Sequence, residues 1–494
     1  MDSPLRAPGA ILLVSCYELG RQPLSLANAA AGLMAAGFAP RALDLARASL
    51  DPDDVRRARL IAVSVPMHTA LRIGVAAAAR LRALNPGAFV CFFGLYAWLN
   101  AEALLEGTAD AVIGGECDEP LLALAQALAS GATGVAAAQG SEAIPGVRTR
   151  AANAGPWLAR PKPLLPERGL LPPIDGYVKI ESDGEMRIAG QIESTRGCKH
   201  LCRHCPIPPV YGGRFFAVPL ETILLDARRQ VEAGARHLSF ADPDFLNGPG
   251  HAIKVACALA KAHAGVTFDF TAKVEHLKAH RSLLPELRDL GCLFVISAVE
   301  SLDDRVLAIL DKGHTRRDVE EVLDATRAAG ITLRPTFVPF TPWTGLEGQR
   351  ELIDFIVGRE LVEAVDPIQM TIRLLVPPGS LLLGHEAMQP HLAGLDAARF
   401  TWTWRHPDPR VDALQQESMA IVEAAAREAR SDEETFALLA AAGGATSTPS
   451  AGAPTAGARP ARRRAPRLTE PWFCCAEPME GQLAALRSDD APGV

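Results

Sequence analysis

The segment Cys198-Lys199-His200-Leu201-Cys202-Arg203-His204-Cys205 places three thiols on one short stretch of chain. Thiolates are soft ligands that select zinc or iron–sulfur clusters over hard metal ions. Three thiolates can hold three irons of a cubane and leave the fourth iron open, whereas a closed structural zinc site takes four protein ligands. The spacing therefore predicts a 4Fe–4S cluster on Cys198, Cys202 and Cys205. A zinc knuckle or redox cluster with His200 or His204 as fourth ligand is the alternative.

The chain around this loop alternates between short apolar runs and helical patterns. The strand-like runs are 191–194, 237–241, 267–271, 293–298, 332–338 and 368–375. Six strands separated by helices predict a partial or full parallel (β/α) barrel over residues 186–385. The cysteine loop follows the first of these strands, so we expect it at the barrel mouth, where the active sites of such barrels lie.

A second strand–helix pattern precedes the barrel. Apolar runs at 11–14, 60–65, 89–94 and 111–116 alternate with helical segments such as 24–36. This alternation predicts an α/β, Rossmann-like, doubly wound parallel sheet over residues 1–140, whose ligands would bind at the carboxyl ends of the strands. We expect Cys16 and Cys117, near two of these ends, to be packed as small hydrophobic side chains.

The remaining segments are distinguished by composition. Residues 141–185 are rich in proline and predict an extended connector. Residues 386–442 predict a helical C-terminal subdomain, residues 443–466 a disordered linker, and residues 467–494 a tail on this tether.

Composition and charge exclude some classes of protein. The chain of 494 residues has a net charge of -7, which argues against general nucleic-acid or membrane-surface binding. No run of 18 apolar residues predicts a membrane span, and the apolar run 10–14 is too short for a signal peptide. We therefore expect a cytoplasmic protein whose ten cysteines are free or metal-bound.

The sequence Glu193-Ser194-Thr195-Arg196-Gly197-Cys198, followed by the CxxxCxxC loop, resembles the radical S-adenosylmethionine (SAM) superfamily. The resemblance implies that SAM chelates the open iron and that one electron from the cluster cleaves its sulfonium. It also implies a flavodoxin or ferredoxin-type reductant. Many members carry an aromatic residue where this chain has His204.

The resemblance also implies residues that bind SAM. Glu300 and Ser301 end the fourth barrel strand, where the family places a carboxylate and a hydroxyl near the ribose and methionine. Asp242 ends the second strand, where related enzymes carry acidic residues near the amino group of SAM. Arg373, on the sixth predicted strand, could pair with a carboxylate. For Glu300 or Arg373 taken alone, an ordinary ion pair is the alternative.

The N-terminal sheet resembles the cobalamin-binding-like domain that often precedes this barrel, and Gly114-Gly115-Glu116 fits that pattern. Domains that ligate cobalt from below use a histidine in the loop after the first strand, and residues 15–20 contain none. Two interpretations stay open: a domain that binds cobalamin, or a vestigial docking domain that shapes the substrate cavity.

The tail contains Cys474-Cys475-Ala476-Glu477-Pro478, which resembles the CUAEP/CCAEP-tail sub-group of radical SAM proteins. Some members of that sub-group carry selenocysteine at the second position. Adjacent thiols can clamp a soft centre such as trivalent arsenic or reduce an oxidised intermediate by thiol–disulfide exchange. We therefore predict catalytic roles for Cys474 and Cys475. The alternative is a disordered terminus with two incidental thiols.

These observations favour a radical SAM enzyme, a transferase or radical-mediated modifying enzyme, that cleaves SAM reductively and modifies a small-molecule substrate. The tail dithiol would hold a soft acceptor. A cobalamin-dependent radical SAM methyltransferase is the alternative enzyme. An iron–sulfur electron carrier or sensor is the alternative that is not an enzyme.

Overall fold

A computed structural model describes residues 3–130, 144–162, 164–446 and 465–470. The predicted thiols Cys474 and Cys475 and most of the predicted linker 443–466 lie outside the described residues. Within the described part of the chain, no helix is both long enough and apolar enough to cross a membrane.

The N-terminal residues form a six-stranded sheet with helices on both faces. Its strands are β1 (Ile11–Ser15), β2 (Arg41–Asp44), β3 (Leu60–Ser64), β4 (Phe89–Phe93), β5 (Ala111–Ile113) and β6 (Val147–Arg148). The order is β2-β1-β3-β4-β5-β6, and only β6 runs antiparallel. The helices are α1 (Leu24–Ala35), α2 (Pro52–Arg57), α3 (His68–Leu84), α4 (Leu95–Leu99), α5 (Ala101–Gly107) and α6 (Asp118–Ala129). The predicted doubly wound sheet is confirmed.

Burial explains which of these strands the sequence revealed. Every residue of β1, β3 and β4 is buried, because helices cover both faces of the sheet and select near-continuous apolar runs. Strand β2 lies at the sheet edge and begins with the exposed Arg41, so it lacks that signal and the sequence missed it. Cys16 is buried in the core as predicted, and this burial raises the pKa of its thiol.

The second sheet is a curled half-barrel. Its strands are β7 (Lys179–Ser182), β8 (Glu185–Ile192), β11 (His237–Phe240), β12 (Thr267–Thr271), β13 (Cys292–Glu300), β14 (Thr332–Phe337) and the C-terminal β17 (Arg467–Leu468). Strands β9 (Thr195–Gly197) and β10 (Phe215–Ala217) form a separate antiparallel pair. The helices are α7 (Pro208–Tyr211), α8 (Leu220–Glu232), α9 (Pro249–Ala262), α10 (Val274–Ala279), α11 (Leu284–Asp289), α12 (Asp304–Leu310), α13 (Arg316–Ala328) and α14 (Leu346–Gly358). The strands β8, β11, β12, β13 and β14 are parallel, as predicted.

The predicted sixth barrel strand, 368–375, is wrong. Residues Pro367–Thr371 form a 3-10 helix, and only an isolated bridge between Phe340 and Arg373 continues the strand pattern. Proline fixes φ and lacks a backbone N–H, so Pro367 favours the turn. Pro377 and Pro378 then leave too little chain for a ladder.

The C-terminal subdomain differs from the helical prediction for 386–442. It begins with an antiparallel hairpin of β15 (Leu392–Asp396) and β16 (Thr401–Trp404), followed by α15 (Pro409–Arg427) and α16 (Asp432–Gly443). A capping box formed by Ser431 and Glu434 starts α16. After the segment that is not described, β17 (Arg467–Leu468) pairs antiparallel with β7 at the edge of the barrel sheet.

Gly115 provides a test of how the connector packs on the N-terminal sheet. Its φ is +80°, and a Cβ atom there would lie 2.2 Å from the carbonyl oxygen of Trp157. We predict that Gly115→Ala lowers the free energy of unfolding by about 2–5 kcal/mol, from left-handed backbone strain and steric overlap together. Urea denaturation followed by circular dichroism measures this change.

Gly107→Ala is the matched control, because no atom lies within 4 Å of a Cβ at the last residue of α5. It should be neutral or slightly stabilising. Equal denaturation midpoints for the two variants would contradict this packing.

Candidate active site

The three predicted cluster ligands lie on one closed loop at the carboxyl end of β8. The hairpin β9–β10 closes the loop, with Gly197 paired to Phe215. Gly197 has a φ of +76°, and a Cβ there would lie 2.5 Å from the carbonyl oxygen of Arg214. Only glycine fits this turn without strain, which explains why it directly precedes Cys198.

The thiols are close enough to interact but do not converge on one point. Burial raises the pKa of Cys198 to about 11, and the neighbouring Cys202 adds to the shift. A single tetrahedral zinc with Zn–S bonds of about 2.3 Å would hold its sulfurs roughly 3.8 Å apart. Among the described residues, the cysteines form no group of three ligand atoms within 4.8 Å. The cysteine sulfurs are therefore not arranged as a closed site for one metal ion, and their binding of a 4Fe–4S cluster stays a prediction.

Both histidines of the loop are already paired away from the thiols. His200 Nε2 lies 3.0 Å from Nε2 of His276, and His276 Nδ1 lies 2.8 Å from Asp244 Oδ2. Ligand atoms of these three residues converge within 4.8 Å, and the hydrogen-bond chain accounts for their closeness. His204 Nε2 lies 3.1 Å from Glu300 Oε1. These partners disfavour either histidine as a fourth ligand of a zinc knuckle.

Glu300 is held in a buried ion pair beside the loop. It ends β13 after a register shift and has a φ of +70°. Its Oε1 accepts a hydrogen bond from Lys312 Nζ at 3.3 Å. Burial alone would raise the pKa of Glu300, but Lys312 and His204 lower it to about 2. The Glu300 carboxylate therefore stays charged. It lies near the thiols, because its partner Lys312 also interacts electrostatically with Cys202 and Cys205.

The other predicted SAM-binding residues have protein partners in the structure. Asp242 is buried and accepts hydrogen bonds from Ser194 N at 2.7 Å and from the Ser194 and Thr195 hydroxyls at 2.6 Å. It therefore holds the start of the segment leading to the cysteine loop. Ser301 Oγ accepts from Asp303 N at 3.1 Å. The contacts of Asp242 and Ser301 with SAM stay predictions.

Arg373 lies in a polar and aromatic cluster of the C-terminal subdomain. It forms an ion pair with Asp412, donates to the carbonyl oxygen of Trp404 at 2.7 Å, and stacks 3.6 Å above the ring centroid of Trp404. These contacts agree with the alternative that the sequence left open, in which Arg373 forms an ordinary ion pair. A role in binding a carboxylate stays a prediction.

His314 is a candidate ligand-binding residue for which the sequence predicted no role. It is only 7% exposed, and within the described residues neither ring nitrogen makes a hydrogen bond of ordinary geometry, although the Lys312 backbone lies close enough to raise the pKa of the ring slightly. Burial, together with Lys312 and Lys273, lowers its pKa to about 4, so the ring is neutral. Buried polar atoms are normally hydrogen-bonded, so these nitrogens suit a ligand. A single sequence shows no burial, and so it could not reveal this.

Arg196 connects the cysteine loop to the N-terminal sheet. Its guanidinium lies 3.1 Å from Glu116 Oε2, 2.8 Å from Asp118 Oδ2 and 2.5 Å from Glu193 Oε1. Tyr211 adds a hydrogen bond to Glu116 at 3.0 Å. The predicted Gly-Gly-Glu ending of the sheet thus positions the loop directly.

The family comparison covers this same region: residues 192–346 match the Radical SAM superfamily. These residues form a radical SAM domain. It contains the cysteine loop, Glu300 and His314, as well as five of the six predicted barrel runs in whole or part.

Curated relatives share part of this chain. The ribosomal protein uS12 methylthiotransferase RimO of Chloroherpeton thalassium is 27% identical over 206 residues, which cover 39% of this chain and 43% of the relative. RimO of Desulfosudis oleivorans is 28% identical over 206 residues, with coverage of 39% and 46%. The chain thus matches less than half the length of these relatives.

Solved structures extend the likeness to both domains. The cobalamin-dependent SAM radical enzyme OxsB, with aqua-cobalamin and SAM bound, has a TM-score of 0.66 at 14% identity and covers 84% of this chain and 66% of its own. The radical SAM methyltransferase TsrM of Kitasatospora setae, with cobalamin and a 4Fe–4S cluster, has a TM-score of 0.55 at 16% identity and coverage of 72% and 73%. At these identities the likeness shows the fold.

The radical SAM domain implies a 4Fe–4S cluster and SAM, and its residues fit both. Cys198, Cys202 and Cys205 offer three soft thiol ligands on one closed loop. His314 offers two buried nitrogens without a protein partner in the described residues.

Cobalamin is bound by the structural neighbours. The residues at the carboxyl edge of this N-terminal sheet do not fit it. A Cβ atom at Gly114 would lie 2.5 Å from Trp98 Cβ, so the Trp98 side chain fills the space beside this glycine. The space beside Gly115 holds the Trp157 backbone. Glycines that open room for a ligand are covered here by the chain's own atoms.

The Glu300–Lys312 ion pair supplies a prediction. Glu300→Gln leaves the Lys312 ammonium buried without its carboxylate, and we expect a loss of about 3–5 kcal/mol in the free energy of unfolding. The double variant with Lys312→Met should recover much of this loss, because no unpaired charge stays buried. Denaturation of the anaerobically reconstituted protein measures both changes.

Glu232→Gln is the control, because its ion pair with Arg228 is exposed and surface pairs contribute little. Equal losses for Glu300→Gln and for the double variant would contradict the assigned pairing.

Proposed function

We propose that this protein is a radical SAM enzyme that cleaves SAM reductively and modifies a small-molecule substrate. One observation carries the proposal: three buried or half-buried thiols on the closed loop lie beside the charged Glu300–Lys312 pair and the unpartnered His314. The radical SAM domain at 192–346 supports the same conclusion.

Each residue has a task that follows from its chemistry. When bound, the cluster supplies the electron that breaks a carbon–sulfur bond of SAM. Cys198, Cys202 and Cys205 hold three irons, which requires loss of their protons because the thiolate is the ligand. Lys312 stabilises the negative charge of the thiolates. His314 is neutral, so it can offer SAM or the substrate both a donor and an acceptor.

A small-molecule substrate and a flavodoxin or ferredoxin-type reductant complete the proposal. RimO is named for its action on a ribosomal protein, but the aligned region covers only 39% of this chain. On the C-terminal side of the radical SAM domain, the described chain adds α14, the hairpin β15–β16, the helices α15 and α16, and the edge strand β17. The net charge of -7 supports a partner other than nucleic acid.

The C-terminal dithiol is the finer part of the proposal. Cys474 and Cys475 would hold a soft acceptor such as trivalent arsenic, because adjacent thiolates suit soft centres. Glu470, four residues before Cys474, already contacts the N-terminal domain through Tyr17.

Products of SAM cleavage test the main proposal. Anaerobic incubation of the reconstituted protein with SAM and a low-potential reductant should yield 5′-deoxyadenosine, detected by mass spectrometry, and Cys202→Ala should yield none. Methylthioadenosine would instead indicate transfer of the aminocarboxypropyl group. If no SAM product forms and SAM leaves the EPR spectrum of the reduced cluster unchanged, the electron-carrier alternative is favoured and the proposed enzyme is wrong.

Binding of trivalent arsenic tests the dithiol. Arsenite titrated into the reconstituted protein should bind at least tenfold more weakly to Cys474→Ser or Cys475→Ser, because one of two thiolate ligands is lost. Cys257→Ser is the control, since Cys257 is exposed but single. Equal affinity for wild type and Cys474→Ser would refute the clamp.

A further inference from the structure

The last described segment, residues 465–470, is built into the barrel sheet. Arg467 and Leu468 pair with Glu181 and Ile180 of β7. Thr469 N donates to the Lys179 carbonyl oxygen at 2.9 Å, and Lys179 N donates to Thr469 Oγ1 at 3.0 Å. The sequence predicted a tail on a free tether from residue 467, whereas this part is an edge strand with a defined register.

Side chains on both sides of the segment fix its position. Arg467 forms ion pairs with Glu181 at 2.9 Å and with Asp432 of α16 at 3.4 Å. Arg334 donates to the Pro466 carbonyl oxygen at 3.3 Å. Leu468 packs against the buried cluster of Ile180, Phe294 and Ile296. The segment is therefore held by backbone, charge and apolar contacts together.

The direction of β17 determines where the chain leads. Strand β7 is antiparallel to β8, and β17 is antiparallel to β7. β17 thus runs in the same direction as β8, toward the barrel end that carries the cysteine loop. Its last described residue, Glu470, accepts a hydrogen bond from Tyr17 Oη at 2.6 Å, just after the end of β1.

Gly20 shows how closely Glu470 approaches the loop after β1. Its φ is +65°, and a Cβ at Gly20 would lie 2.9 Å from Glu470 Cβ. In the same loop, the buried Arg21 interacts electrostatically with Glu470 and with Asp269 of the barrel. The loop after β1 is therefore shaped around the C-terminal segment.

This loop lies where a doubly wound sheet normally binds its ligand. The order β2-β1-β3-β4-β5 reverses between β1 and β3, and ligands of such sheets bind at that switch point, outside the strand ends. Here Ser25 Oγ lies 2.7 Å from Ser64 Oγ across the switch point, and Ser25 also donates to Glu18. The chain's own side chains bridge the crevice.

We propose that this chain's own C-terminal segment, residues 465–470, occupies the carboxyl edge of the N-terminal sheet through Glu470, in place of a corrinoid. The switch point is bridged, Gly114 and Gly115 are covered, and Glu470 lies at the end of β1. A fully extended chain spans at most about 3.6 Å per residue, so Cys474 lies within roughly 14 Å of Glu470.

Corrinoid binding tests the exclusion. The full-length, cluster-reconstituted protein is incubated anaerobically with hydroxocobalamin and then passed through gel filtration. We expect protein fractions without corrinoid absorbance. One corrinoid per chain would overturn the proposal and favour the cobalamin-dependent alternative.

Alkylation of Cys474 and Cys475 tests the occupant. Tyr17→Phe removes the hydrogen bond to Glu470, and Arg467→Ala removes two ion pairs of β17. We expect iodoacetamide to modify both thiols about tenfold faster or more in these variants, because each change removes partly buried contacts with charged groups that hold residues 465–470. Peptide mass spectrometry reports the rates, with the exposed Cys257 as the internal reference and Glu232→Gln as the control variant.

The alkylation rates do not depend on SAM turnover. Failure of the proposed enzyme activity can therefore be distinguished from failure of the proposed docking of the C-terminal segment. Unchanged iron content and circular dichroism would show that the variants are folded. Equal alkylation rates in folded variants and wild type would overturn the docking of the C-terminal segment.

Discussion

The buried Arg196 guanidinium is the contact on which the arrangement of the site depends. It stands two residues before Cys198 and binds Glu116 and Asp118 of the N-terminal domain as well as Glu193 of its own segment. Burial alone would lower the pKa of Arg196, but these carboxylates raise it. A charge removed from water is tolerated only with such partners, so the two domains and the cysteine loop share one ion-pair cluster.

Charge also organises the other side of the loop. Lys312 lies near Cys202 and Cys205 and pairs with Glu300, so positive charge is available where thiolates must form. Around these fixed charges, His314 keeps two nitrogens without partners in the described residues. The arrangement combines satisfied ion pairs that position the loop with one unsatisfied ring that is available to a ligand.

Sequence reasoning was most successful where one local signal sufficed. The fully buried strands β1, β3 and β4 required no knowledge of distant residues. The prediction of a strand at 368–375 failed because Pro367 starts a 3-10 turn within an apolar run, and apolarity alone does not distinguish the two. Strand β2 was missed because it lies at the sheet edge and lacks a continuous buried run. The hairpin β15–β16 was missed although β16 (Thr401–Trp404) consists of residues that favour strands, because the whole segment 386–442 was assigned to helices.

The sequence by itself predicted the ligand set, since soft thiols at that spacing favour an iron–sulfur centre wherever the loop lies. It also determined the two α/β units through the alternation of apolar runs. Only the tertiary structure decided the partners of Glu300, Asp242 and Arg373 and the path of the segment ending at Glu470. These depend on contacts between residues as far apart as Tyr17 and Glu470, and no local pattern records which distant groups burial brings together.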